Sequence, residues 1–132
     1  MKNGNISAIF DFETLSLNRP KCVVTCAAGI RFDESRYLSD NPFTFDELVS
    51  NSEFIKVDVQ TQVEEYHRKL DMNTVKWWRE QPKSVQNDLI EPSENDAPFE
   101  ELLTFFKGLF GAEGTVRKVY TRGNTFDPIV LD

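Results

Sequence analysis

Asp11 and Glu13 stand two residues apart inside an apolar stretch, NISAIFDFE (residues 5–13). Side chains along a strand alternate between its faces, so Ile9, Asp11 and Glu13 share one face and Ala8, Phe10 and Phe12 the other. Two carboxylates aimed the same way repel each other unless a cation lies between them or one is protonated. Oxygen ligands of this kind suit hard divalent ions such as Mg2+ or Mn2+. The spacing by itself is common. About one residue in six is acidic, so roughly three or four acid-x-acid triplets arise by chance. This chain has two, Asp11/Glu13 and Glu94/Asp96. Glu94/Asp96 falls in a polar loop, whereas Asp11/Glu13 sits where an unpaired carboxylate is costly. A metal and a structural salt bridge are the two readings of that pair.

A third acid, Asp127 in GNTFDP, follows a predicted strand and opens a helix, where the dipole tolerates an anion. Alone it reads as a helix cap. It joins the chemistry only if its strand neighbours the first one. Trp77 and Trp78 point about 100° apart on a helix, so one is expected in the core and the other over it at the surface. The functional alternative is stacking on a base of single-stranded nucleic acid, which contributes about 1–3 kcal/mol. Arg117, Lys118 and Arg122 either steer phosphates or protect a strand edge by charge.

These residues need elements to position them. NISAIFDFE predicts a first strand, and Cys22–Phe32, rich in Val, Ala and Ile with little alternation, a second strand covered on both sides. Asn18 and Pro20 lie in the turn between them. FDELVSNSEF carries a possible further strand, and FIKVDV (54–59) alternates as a third strand or edge. From Asp71 the period becomes helical, with Asp71 or Asn73 as N-cap and Val75 and Trp78 facing inward. Gln81-Pro82 ends that helix, and a second carries Val85 and Leu89. Phe99, Leu102, Leu103, Phe106, Leu109 and Phe110 then form an amphipathic stripe between Pro98 and Gly111. Burying all six would supply on the order of 10 kcal/mol of transfer free energy before entropy. Arg117–Thr121 predicts a last strand, followed by a helix start at Pro128. The order implies an α/β fold, a mixed sheet with helices against it.

The 132 residues make one domain by length, with 39% hydrophobic and 28% charged residues. No apolar run approaches a membrane span, and the N-terminus lacks a secretory pattern. With one histidine, His67, a Cys/His zinc site is excluded, and His67 itself reads as a solvated surface residue. Cys22 and Cys26 are expected as buried reduced thiols, which suits a cytoplasm. The net charge of −7 disfavours general binding of nucleic acid. A local polyanion site is still compatible with it, and metal-holding carboxylates would account for part of the excess. The acids of residues 88–101 read as a solvated face.

Three segments resemble one known family. FDFETLSLNRPKCVVTCAAGIRFD is similar to the first motif of the DEDD superfamily of 3′-to-5′ exonucleases. MNTVKWWREQPKSVQNDL is similar to the Thr-x-x-Trp-Trp…Gln helix pair of the phage branch, and VYTRGNTFDPIVL to the second motif. The chain is identified as resembling that phage branch, the exonuclease A family of T-even bacteriophages. The resemblance implies a ribonuclease H-like fold over residues 1–132 and two-metal hydrolysis of phosphodiesters at a single-stranded 3′ end, with DNA favoured over RNA although no residue here clearly reads a 2′-hydroxyl. It implies that Asp11 bridges two Mg2+ or Mn2+ ions, that Glu13 completes one site and that Asp127 supports the other. Backbone groups of Thr14 and Leu15 would meet the terminal nucleotide, with Trp77, Trp78 and Arg122 as further substrate contacts. A third motif, with a histidine base and a fourth acid, has no counterpart up to Asp132, and His67 precedes the second motif. Arg122-Gly123 stands where the wider family often has His-Asn. Weak or absent activity of this chain alone is therefore expected, in the host-cell cytoplasm if the protein is phage-encoded. The alternative is a non-catalytic remnant of the fold that binds nucleic acid or protein.

Overall fold

The computed structural model describes residues 6–17, 21–111, 116 and 118–121. Four strands form one mixed sheet: β1 (Ile6–Thr14), β2 (Val24–Asp33), β3 (Ser52–Lys56) and β4 (Lys118–Tyr120). Their order is β3-β2-β1-β4. β1 pairs antiparallel with β2, β2 antiparallel with β3, and β1 parallel with β4. The helices are α1 (Glu34–Tyr37), α2 (Phe45–Asn51), α3 (Gln60–Glu64), α4 (Met72–Arg79), α5 (Lys83–Leu89) and α6 (Glu101–Phe110).

The alternation in β1 decides how the sheet is dressed. Ala8, Phe10 and Phe12 are buried, while Ile9 and Asp11 are exposed and Glu13 is half-buried. The buried set packs under α6, which contributes Phe106 and Leu109. Phe106 meets Phe10 and Phe12 edge-on at 5.2 and 5.3 Å between ring centroids, a geometry that aligns the positive ring edge with the negative face. Gly29, paired with Phe10 across β1 and β2, lets α6 approach the sheet at Leu109. A Cβ at that position would lie 2.6 Å from a methyl of Leu109.

A second cluster gathers Leu15, Val23, Trp78 and Ile90 with Val75, Val85 and Leu89, joining α4 and α5 to the end of β1. Asp71 caps α4 by accepting the Asn73 amide. Buried Gln86 of α5 donates to the carbonyls of Arg79 and Gln81, satisfying groups that the break at Pro82 strands.

The structure departs from the sequence expectations in four places. FDELVSN is the helix α2, not a strand. Thr44 and Glu47 close a capping box at its start, and the strand begins only at Ser52. Leu103 is 63% exposed, and the partly buried Phe105 packs against the core in its place, so the apolar stripe of α6 is rotated from the expected one. β2 is covered on both faces only over its first four residues, after which exposed positions begin at Ala28. The acids of 88–101 are not simply solvated, because Asp96 forms a nearly buried pair with Lys56 at 2.6 Å. His67 is exposed, and Cys22 and Cys26 are buried and not disulfide-bonded, as expected. Asn18, Pro20 and the helix start at Pro128 lie outside the described residues.

Candidate active site

The C-terminal half of β1 opens into a groove of about 880 Å³. Asp11, Phe12, Glu13, Thr14 and Leu17 line one wall, and Asp71, Asn73, Thr74, Trp77 and Trp78 the other. β1 supplies the carboxylates because the two-residue period turns Asp11 and Glu13 away from the α6 core. α4 supplies the opposite wall because the cluster around Trp78 clamps it to the residues following β1.

Trp77 and Trp78 divide their roles as their angular separation requires. Trp78 is buried, and its indole N–H donates to the Thr14 carbonyl at 3.0 Å. Trp77 is 55% exposed and stands edge-on to Trp78 at 5.0 Å. A buried indole with a satisfied N–H is a fixed platform, and the exposed Trp77 ring beside it lines the groove.

Asp11 is exposed, and one of its carboxylate oxygens accepts the Phe12 amide at 3.0 Å. Among the described residues no lysine or arginine pairs with Asp11. The described ion pairs are Arg36–Glu47, Lys56–Asp96, Arg79–Glu91 and Lys118–Glu34. Glu13 lies opposite Cys26. Burial pushes the Cys26 thiol up to about 11; the Thr25 hydroxyl opposes that shift and the Glu13 carboxylate adds to it. Cys26 is therefore a neutral neighbour to Glu13, not a thiolate. Two carboxylates on one open face, the first of them without a basic partner among the described residues, fit a hard divalent cation in donor chemistry. Among the described residues no three carboxylate, histidine or cysteine groups gather into a metal cluster. The expected third ligand, Asp127, lies outside the described residues.

Thr14 lines the groove, and its carbonyl is the acceptor for Trp78. Leu15 does not line it. Its side chain is buried, its amide donates to Val23 and its carbonyl accepts from Asp71, so the backbone contact expected of Leu15 is directed into the fold. Arg117 and Arg122 lie outside the described residues, and Lys118 is 3.8 Å from Glu34. The groove adds Leu17, Asp71, Asn73 and Thr74 to the residues read from the sequence. Asp71 was visible there only as a helix cap, a role it does fill, with Thr74 donating to its second oxygen. Leu17 is 75% exposed, and a lone apolar residue beyond a strand carries no signal of that placement.

The family model for the 3'-5' exoribonuclease Rv2179c-like domain matches residues 7–132. The exodeoxyribonuclease of Enterobacteria phage T4 is 31% identical over 128 residues, a match covering 94% of this chain and 53% of that protein. The chain thus spans about half the length of the curated relative it matches. Among the described residues no helix is long and apolar enough to cross a membrane.

Proposed function

Because the chain belongs to the family of the 3'-5' exoribonuclease Rv2179c-like domain, we propose that residues 1–132 form the part of a divalent-metal-dependent 3′-to-5′ exonuclease that holds the ions and the 3′ end. Its mixed four-stranded sheet with helices is consistent with the ribonuclease H-like arrangement of such domains. The observation that carries the reading is the groove in which Asp11 and Glu13 face Trp77.

In the reaction, a water oxygen attacks the last phosphodiester and the bond from phosphorus to the 3′ oxygen of the preceding nucleotide breaks. The products are a nucleoside 5′-monophosphate and a strand ending in a new 3′-hydroxyl. Bound Mg2+ or Mn2+ supplies polarisation of the phosphate and activation of the water. Asp11 would serve both ions, Glu13 would complete one site and Asp127 would support the other. Trp77 stacks on a base, which favours a single strand because its bases are free to leave their neighbours. Thr14 and Arg122 contact the terminal nucleotide, and Trp78 fixes the wall that carries Trp77. DNA is the proposed substrate, supported by the phage relative's description, whereas the family description names RNA activity. Two buried cysteines that form no disulfide support a reducing cytoplasm as the setting. The resemblance assigns a histidine base and a fourth acid to a third motif, so residues 1–132 tested by themselves are expected to bind ions and ends and to cleave slowly.

The test is Mn2+ titration by calorimetry, together with 5′-labelled single-stranded DNA and RNA incubated with Mg2+, Mn2+ or chelator. The expected result is metal binding lost in Asp11→Asn, with slow, metal-dependent shortening of DNA from its 3′ end. Undiminished metal binding or cleavage in Asp11→Asn overturns the proposal, and faster cleavage of RNA replaces the substrate.

A further inference from the structure

The register of β1 against β2 breaks beside the carboxylates. Glu13 pairs with Cys26 and Thr14 with Val24, which leaves Thr25 without a partner on β1. Such a bulge bends the strand pair and redirects the side chains around it. It also removes a regular ladder bond, so the backbone oxygens there need other donors.

Two side chains provide them. The Thr25 hydroxyl donates to the Glu13 carbonyl at 3.1 Å, and the Trp78 indole donates to the Thr14 carbonyl at 3.0 Å. Consecutive peptides at the groove are thus held by side chains from two different elements. The bulge is fixed from its far side as well. The Val57 amide donates to the Thr25 carbonyl at 2.9 Å. Buried Gln62 accepts the Val24 amide at 2.9 Å and donates to the Val24 carbonyl at 2.7 Å, so its amide acts as one more rung where β3 has ended. Thr25 is itself 1% exposed and does not line the groove.

We propose that Thr25 is a positioning residue for Glu13: its hydroxyl locks the Glu13 peptide at the bulge and so sets where the Glu13 carboxylate stands relative to Asp11. This rests on the reading of Asp11 and Glu13 as metal ligands. Valine keeps the shape of threonine and removes the donor, whereas serine keeps the donor and removes a methyl. A role in packing alone makes valine the better replacement in a buried site. A positioning role makes serine the better one for metal affinity.

The experiment measures Mn2+ affinity by calorimetry and Tm by circular dichroism for the 132-residue chain and its Thr25→Val, Thr25→Ser and Asp11→Asn variants. Loss of an outer partner of a metal ligand weakens binding by about 10- to 100-fold, and that is expected of Thr25→Val. Thr25→Ser should remain within about threefold of the parent even where its Tm is the lower of the two. If Thr25→Val fails to fold, Thr25→Ala takes its place against Thr25→Ser. Affinity that follows Tm, or that is unchanged in the hydroxyl-free variant while Asp11→Asn abolishes binding, overturns the positioning role and leaves the ligand reading standing. No Mn2+ binding by the parent chain, or full binding by Asp11→Asn, removes both.

Discussion

The two faces of β1 were built under opposite demands, though they alternate residue by residue along one strand. Ala8, Phe10 and Phe12 are buried beneath α6, and the rings of Phe10, Phe12 and Phe106 leave no polar atom to satisfy. Ile9, Asp11 and Glu13 face outward, and the last two border an open groove. The first face stabilises the fold and is indifferent to charge chemistry. The second contributes little burial and places two like charges side by side, which folding alone does not favour. Stability and function are therefore separable by substitutions at adjacent residues.

The sharpest break is at Phe10 and Asp11. Phe10→Ala should cost about 3–5 kcal/mol by emptying a packed site. Asp11→Asn should stay within about 0.5 kcal/mol, as exposed substitutions generally do. Urea unfolding of both variants checks this, and a large loss in Asp11→Asn would mean that the carboxylate is structural. The tryptophans repeat the contrast on the opposite wall. Trp78→Ala should destabilise by roughly 3 kcal/mol or more through lost packing. Trp77→Ala should leave Tm nearly unchanged and weaken single-stranded oligonucleotide binding by about 1–3 kcal/mol, measured by fluorescence anisotropy.

The smallest effect concerns Cys26, which the register assigns to the Glu13 face although it is buried. Its thiol is raised from 9.0 to about 11 by burial. A raised folded value holds the proton more tightly than the unfolded chain does. The resulting stability is complete below pH 9 and is lost as pH climbs through 11. Comparing urea midpoints from pH 7 to 11, the parent should lose more than Cys26→Ala over the upper part of that range. Parallel curves would show that the thiol is not desolvated.

Local patterns with one dominant cause were legible in the sequence. The alternation Ala8-Ile9-Phe10-Asp11-Phe12-Glu13 reports a strand with one covered face, and Asp71 and Pro82 punctuate α4 and α5 where expected. α2 was misread because Val49 and Phe54 fall near each other in an apolar-polar mixture. The informative signal was the capping pair Thr44 and Glu47, which acts at the helix start and not through periodicity. Leu103 was misassigned because the stripe on a helix fixes a face but not its tilt against the sheet, and Gly29 lets Leu109 sit closest. Asp71 and Leu17 became groove residues only through long-range packing of α4 on the end of β1. No spacing within either segment encodes that contact.

The parallel pairing of β1 with β4 also has a consequence during synthesis. β1 and β2 can join as a hairpin as soon as both leave the ribosome, but the other edge of β1 waits for Lys118–Tyr120 near the far end of the sequence. At translation speeds of about 5–20 residues per second, that edge stays bare for roughly 5–20 s. During this interval nascent chains are open to mispairing with one another through Ser7–Ile9, so crowded expression at high temperature should penalise this protein more than its finished stability would suggest.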